Sequence, residues 1–294
     1  ENILHAQWAS PSNAVLGGRP QVIFAGGDGW LYSFDPAGDG AGQSKLLWKF
    51  DCNPKDSKYS VGGRSTRNQQ IGFICVYDGL LYFAPGEDPE HGEGNGRLWC
   101  IDPAKHLDGS DVSAELVVDR GRTIVPHRRI CAVDPAQGER VTPNPNSAVV
   151  WQYAYFDHNF DGKPDFEEQF HRTLGTPVIQ DDLLYIADFS GLFHCLDAKT
   201  GEEYWYRDLF AASWGSALLV DGKVYVGDEE GKVSIFRHSA DPVMAMPDGA
   251  PLAEIEMGNS IYSTPIVAND VLYVVTKDTL YAIESREEVP GGAP

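Results

Sequence analysis

Short apolar runs alternate with turn signals along the whole chain, and one phrase returns five times. It reads GGRPQVIFAGGDGWLYSFD at 17–35, YDGLLYFAPG…GRLWCID across 77–102 and QDDLLYIADFSGLFHCLD at 180–197. It returns as VDGKVYVGDEEGKVSIF at 220–236 and ANDVLYVVTKDTLYAIE at 268–284. Short alternating runs broken by Gly, Asp and Asn predict strands rather than helices, because two-residue breaks of this kind suit tight hairpins. The third unit shows the pattern in full: 173–180, LLYIAD, LFHCLD and EEYWYRDL, separated by Asp181-Asp182, Phe189-Ser190-Gly191 and Lys199-Thr200-Gly201.

Four antiparallel strands repeated radially make the blade of a β-propeller, which closes sheets while leaving few edges exposed. The expected fold is therefore all-β, a β-propeller of four-stranded antiparallel blades with about five repeat units, the fifth incomplete. The units fall near 1–51, 68–152, 173–209, 213–258 and 261–286. They form one domain over 1–286, followed by a flexible tail at 287–294. Residues in repeat slots are read as packing. Tyr82, Tyr185, Tyr225 and Tyr273, with Phe24, are predicted to pack between blades, and Trp48, Trp151 and Trp205 share a fourth-strand slot. Cys100 and Cys195 share a slot with Ser33, Ser234 and Ala282, and Cys75 matches Val178, Leu218 and Ile266. Only Cys52 and Cys131 lie in loops, on opposite faces, so no disulfide framework is expected. His194 shares its strand slot with Tyr32, Trp99 and Tyr281 and is expected to be a packed or interface side chain.

The string LFHCLDAKTGEEYW (192–205), preceded by GTPVIQDDLLYIAD, resembles the repeat of the PQQ-like β-propeller family. That family includes quinoprotein alcohol dehydrogenases and the lipoprotein of the outer-membrane β-barrel assembly machine. The whole chain is also similar to secreted propellers of the kind found in planctomycete-type bacteria. Seven- or eight-bladed rings are usual in the family, so the resemblance implies that the chain is part of a larger ring. Missing blades would then come from an absent segment or another chain; an unusual five-bladed ring is the alternative.

Charge narrows the partners. Lys and Arg number 23 against 43 Asp and Glu, a formal net charge of −20. Such a surface repels phosphate backbones and anionic lipid, which argues against nucleic acid and membrane surfaces and favours cations and protein or cationic partners. No apolar run approaches the roughly 18–20 residues that cross a bilayer, so membrane insertion is not expected. The chain opens at Glu1 without a basic or apolar leader, and a secretion signal is expected to be removed or absent from this piece.

Propeller topology sorts the loops. Connections between strands two and three, and from strand four to the next blade, share one face. That face receives Asp28, the insertion 87–96, Asp188, Asp228-Glu229-Glu230, Asp278 and the linkers 51–70 and 152–172, so it is expected to be strongly acidic. The insertion 103–147, with Arg120, Arg122, Arg128 and Arg129, is expected on the opposite face. Long insertions on a rigid scaffold are where function concentrates.

The strongest chemical motif is DHNFDGKPDFEE at 157–168, which fits the twelve-residue calcium loop. Asp157, Asn159 and Asp161 supply oxygens, Gly162 the sharp turn, Lys163 a carbonyl, Asp165 a direct or water-mediated oxygen, and Glu168 a bidentate closure. An all-oxygen set suits Ca²⁺. Pro164 stands where a paired EF-hand places an apolar residue, so the loop reads as a single staple for its linker rather than a sensor. A second candidate metal or acid–base site comprises Glu87, Asp88, His91 and Glu93; a solvated hairpin is the competing reading. Glu168-Gln169-Phe170-His171 has half the spacing of a zinc helix and belongs to the exit of the calcium loop.

Haem, dinucleotide, P-loop, zinc-protease and serine-hydrolase signatures are missing from the sequence. Quinone-dependent members of the family use adjacent cysteines, and this chain has no Cys-Cys pair, which weighs against PQQ. The expectation is a non-catalytic, calcium-binding scaffold or binding propeller in the periplasm or outside the cell. The alternative is a quinoprotein-type oxidoreductase, or another enzyme, using the acidic face around His91.

Overall fold

A computed structural model describes residues 7–60, 65–87, 89–126 and 133–284. Blade one is β1 (Ser12–Leu16), β2 (Arg19–Ala25), β3 (Trp30–Asp35) and β4 (Lys45–Asp51), hydrogen-bonded in that order. Blade two begins with β5 (Cys75–Tyr77), β6 (Leu80–Phe83) and β7 (Leu98–Ile101). The 103–147 insertion then contributes β8 (Ser110–Asp111), β9 (Glu115–Val118) and β10 (Arg140–Pro143) before β11 (Val149–Tyr153) closes the blade on β7. Blade three is β12 (Val178–Gln180), β13 (Leu183–Ala187), β14 (Leu192–Asp197) and β15 (Glu203–Asp208). Blade four is β16 (Leu218–Val220), β17 (Lys223–Gly227), β18 (Lys232–Arg237) and β19 (Ala253–Glu256). Blade five has three strands among the described residues: β20 (Ile266–Ala268), β21 (Val271–Val275) and β22 (Leu280–Glu284).

The core lies between blades. Successive strand residues point to opposite faces, so each strand feeds two neighbouring cores. In β13, Leu184 and Ile186 join Tyr82, Cys100 and Trp151 of blade two, while Tyr185 and Ala187 join Val224, Val226 and Phe236 of blade four. The tyrosine slot is buried in blades two and three, with Tyr82 1% and Tyr185 0% exposed. In blades two and three the tryptophan slot ties a blade to the next, Trp151 Nε1 donating to Ala198 O at 2.9 Å and Trp205 Nε1 to Ser239 O at 3.0 Å, whereas Trp48 Nε1 donates within blade one to Gln21 Oε1 at 2.8 Å. Cys52, Cys75, Cys100 and Cys195 are free thiols, and burial pushes the Cys75 and Cys100 pKa up to about 11 and 12.

At the inner ring the blades approach so closely that side chains are excluded. A Cβ on Gly72 would stand 2.4 Å from Gly175 O, and one on Gly175 would stand 3.0 Å from Gly215 O. One residue further on, blades two, three and four each donate a backbone N–H to a hydroxyl of the next. Phe73 N reaches Thr176 Oγ1 at 2.9 Å, Thr176 N reaches Ser216 Oγ at 2.8 Å, and Ser216 N reaches Thr264 Oγ1 at 2.8 Å. Among the described residues, Thr264 N has no hydroxyl to continue the series.

The insertion corrects one expectation. It leaves blade two on the far face, but β8 runs parallel to β4, pairing Trp48 with Ser110 and Lys49 with Asp111. This carries Ser113 up to Asp51, whose N–H donates to Ser113 Oγ at 2.7 Å. Ala114 and Glu115 consequently reach the face of the long linkers. Arg128, Arg129 and Cys131 lie outside the described residues.

Candidate functional site

Three of the loops that propeller topology sorts to one face enclose a cleft of about 850 Å³. Its walls are linker 51–70, the hairpin around 91–97 and linker 152–172. Two buried ion networks hold these walls.

The first centres on Asp51 at the end of β4. Its carboxylate takes Arg67 Nη2 and Lys55 Nζ, each at 2.8 Å, and all three side chains are at least 95% buried. Burial alone would raise the Asp51 pKa, but the two cations outweigh it and hold the carboxyl below the usual range. Arg67 also donates to Asp28 O at 3.1 Å and to Ser57 Oγ at 3.2 Å, so one side chain ties linker 51–70 to blade one. Lys55 lies 4.8 Å from the centre of the Trp30 ring, a cation–π contact.

The second network fastens linker 152–172 to blade three. His171 donates its backbone N–H to Asp188 Oδ2 at 3.0 Å, and its Nδ1 lies 3.0 Å from the same oxygen. His194 Nδ1 is 2.9 Å from Glu203 Oε2, and its Nε2 is 3.6 Å from Asp188 Oδ2. Glu203 also accepts the Tyr153 hydroxyl and lies 3.0 Å from His158 Nε2. Burial works against charge on His194, but the carboxylates on either side outweigh it and lift its pKa to about 9. Asp188 is correspondingly held far below the usual carboxylate range, against its own burial, by His171 and His194. His194 is packed, as its repeat slot implies, but as the charged centre of this network.

The network also corrects the expected acidic face. Asp28, Asp188 and Asp228 are 3%, 0% and 2% exposed and serve as turn caps. Asp28 Oδ1 accepts Trp30 N, Asp188 Oδ1 accepts Ser190 N and Leu192 N, and Asp228 Oδ1 accepts Glu230 N and Lys232 N. The recurring aspartate after the second strand therefore closes a hairpin, and these three carboxylates face inward rather than towards a partner.

In the 157–168 segment the oxygens gather around loop amides. Asp157 accepts from Asp161 N and Gly162 N, Asn159 Oδ1 accepts from Asp161 N, and Asp161 Oδ1 accepts from Lys163 N. Gly162 takes the left-handed conformation, φ +80°, that the turn requires. Glu168 is buried and folded back: Oε1 accepts His158 N and Asn159 N, and Oε2 accepts Asp165 N. Asn159 Nδ2 meets Asp165 Oδ2 at 3.2 Å. The segment thus has a calcium loop's turn and all-oxygen donor set, with Glu168 engaged by backbone. A cation would compete with three amides for it.

In the second candidate, His91 Nδ1 lies 3.2 Å from Glu87 Oε1, which also accepts Gln69 Nε2 at 2.9 Å. Glu93 is exposed on the cleft wall, and Asp88 lies outside the described residues. Among the described residues, no group of three His, Cys, Asp or Glu side chains is gathered for a metal ion at either place. None of the helices among the described residues is long and apolar enough to cross a membrane.

Comparison with known proteins matches this architecture. Residues 126–241 match the family model described as outer membrane protein assembly factor BamB. BamB of Moranella endobia is 24% identical over 153 residues, covering 48% of this chain and 35% of the relative. The crystal structure of BamB from Moraxella catarrhalis superposes with a TM-score of 0.53 at 13% identity, covering 92% of this chain and 57% of that one. A quinohemoprotein alcohol dehydrogenase from Pseudomonas putida gives a TM-score of 0.54 at 14% identity, covering 96% and 41%. The chain therefore spans only part of each of these proteins, and the distant structural likenesses speak to fold. Strand order and blade packing agree with these likenesses: the described residues fold as β-propeller blades, and residues 126–241 match a PQQ-like repeat family.

Proposed function

We propose that this chain is a non-catalytic β-propeller binding module of the periplasm or cell exterior, stapled by Ca²⁺ at Asp157–Glu168. Its outer fifth-blade face is the surface that takes a protein partner, supplied by another segment or another chain. The observation that carries this reading is the inter-blade series of N–H to hydroxyl bonds, which runs through Thr176, Ser216 and Thr264 and is continued no further among the described residues. Beside that end lie Ile266, Val275 and Leu280, apolar and 55%, 43% and 63% exposed. Ser263 occupies the slot that is Gly72, Gly175 and Gly215 in earlier blades, so a partner must stand slightly further off than those blades do. The resemblance to an outer-membrane assembly factor supports a scaffold role among proteins.

A photo-crosslinking residue at 280 or 266, introduced into the protein in its native host, is expected to capture one discrete partner. The same residue at Tyr204, exposed on blade three, is expected to capture none. Absence of crosslinks at both 266 and 280 contradicts the reading. The quinoprotein alternative predicts a quinone absorbance band and dye reduction on adding PQQ and Ca²⁺. The binding-module reading predicts neither.

A further inference from the structure

The fifth blade has a free edge as well as an exposed face, and the other blades show what fits that edge. Among the described residues β22 ends a three-stranded sheet, where blades one to four each carry a fourth strand. Hydrogen bonding alternates along an antiparallel pair, so one bonded pair fixes which groups point outward. Thr276 N donates to Thr279 O at 2.9 Å, closing the turn between β21 and β22. From that pair onward, Tyr281 and Ile283 turn their N–H and C=O groups to β21, while Leu280, Ala282 and Glu284 turn theirs away from it. In blade four the equivalent of Ala282 is Ile235, which pairs with Tyr225 as Ala282 pairs with Tyr273. There the fourth strand takes the outward group, Leu252 N donating to Ile235 O at 2.7 Å. Among the described residues nothing meets the outward groups of Leu280 and Ala282.

Side chains specify the absent strand further. In blades one, two and three a small residue of the third strand faces a tryptophan of the fourth: Ser33 opposite Trp48, Cys100 opposite Trp151, Cys195 opposite Trp205. Blade four exchanges the sizes, with Ile235 opposite Ala253. Blade five returns to a small residue, Ala282, with no partner strand beside it. In blades two and three the indole also packs on the second-strand tyrosine, with 5.9 Å between ring centres for both Tyr82–Trp151 and Tyr185–Trp205. Tyr273 is the matching tyrosine of blade five, and it is half-buried rather than covered.

We infer that the edge of β22 takes an extended strand of a partner protein, antiparallel and with a tryptophan opposite Ala282. Main-chain bonds to Leu280 and Ala282 supply the pairing, and the indole filling the space over Ala282 and Tyr273 supplies the selectivity. The inference rests on the fifth blade being the partner surface and states how the partner is held there.

The test uses the peptide KLLWKFD, capped at both ends, which copies β4 (Lys45–Asp51). In the register of blade one it sets Trp48 opposite Ala282 and Phe50 opposite Leu280. Calorimetric titration of the whole chain is expected to show saturable binding, weakened at least about tenfold by Trp48→Ala in the peptide. Ala282→Pro in the chain removes an outward N–H that β21 does not use, and is expected to abolish binding with Tm kept. Ala282→Trp fills the space from the chain's own side and is expected to weaken binding at least about tenfold. In residue-resolved hydrogen exchange, the Leu280 and Ala282 amides should exchange fast in the isolated chain and slow at least about tenfold with peptide. If both variants lose Tm, this exchange pattern in the wild-type chain decides. No binding at millimolar peptide, equal binding of the Trp48→Ala peptide, or protection elsewhere with both amides unchanged overturns the inference. So does slow exchange of both amides without peptide, which would mean that the edge is already filled. Crosslinks at 266 and 280 without peptide binding overturn the strand alone and leave the partner surface standing; peptide binding without crosslinks does the reverse.

Discussion

Blades three and five carry the same repeat and live in different surroundings. Cross-strand pairing puts Val178, Leu183, Tyr185, Ala187, Phe193 and Cys195 on one face of blade three, all packed against blade four. The matching face of blade five is Ile266, Val271, Tyr273, Val275, Leu280 and Ala282. Phe193 is fully buried, whereas its counterpart Leu280 is 63% exposed. Blade three is also anchored by the His194 network, while blade five meets its neighbour through a small cluster of Val233, Met257, Ile261 and Val274. A repeat slot specifies an apolar residue, but only a neighbour turns that residue into stability. Where the described residues supply no neighbour, as at Leu280, the same pattern stays exposed, and the proposed function rests on that exposure.

The sharpest way to break this contrast is to truncate both positions. Phe193→Ala should cost about 3–5 kcal/mol. Leu280→Ala should stay within about 0.5 kcal/mol, as measured by denaturant unfolding of the isolated chain. Comparable losses would mean the two faces are equally covered. The His194 network comes next. His194→Gln should cost about 3 kcal/mol by leaving Asp188 and Glu203 without their cation. The pH dependence has a definite sign. His194 is raised to about 9 in the folded chain. Its contribution is therefore complete below an unfolded pKa of about 6.5 and disappears as pH climbs through the folded value. Asp188 and Glu203 are lowered, so their contribution is present above their unfolded values and disappears as pH falls through the folded ones. Thermal melts should show highest stability between roughly pH 5 and 6.5 and a decline from there towards pH 9, and His194→Gln should flatten that decline.

Calcium should act on the linker into blade three. At a hundredfold excess over Kd, binding adds about 2.7 kcal/mol, seen as a Tm drop on adding EDTA. Asp157→Ala combined with Glu168→Ala should abolish the shift, and no shift in the wild type at millimolar Ca²⁺ would remove the staple from the account. The smallest expected effect is at the inner ring. Ser216→Ala removes the acceptor for Thr176 N and should cost about 1 kcal/mol.

Repetition made the blades legible, because period-two alternation and turn residues are local signals. The Tyr and Trp slots were equally readable, and their burial follows from the repeat. The 157–168 turn was visible through Gly162 and its spaced oxygens, but the inward fold of Glu168 was not, because it depends on amides of the same loop. The ion networks join residues far apart in sequence, such as Asp51 with Arg67 and His171 with Asp188, and no local pattern marks them. Composition cannot distinguish a turn cap from a solvated carboxylate, so in the sequence Asp28, Asp188 and Asp228 count as surface charge. Their recurrence at one slot was the available signal. Arg97 stands just before β7, and that no carboxylate among the described residues pairs with it is a fact of three dimensions alone.

The most direct test of the contrast between closed and open blades is amide hydrogen exchange, resolved by residue, in the isolated chain. The account predicts that Thr176 and Ser216 amides, each bonded to the next blade's hydroxyl, exchange slowly, while Thr264 exchanges orders of magnitude faster and slows only when a partner is bound. Protection of Thr264 equal to that of Ser216 in the isolated chain would mean that the fifth blade is already covered, contradicting the proposed binding surface.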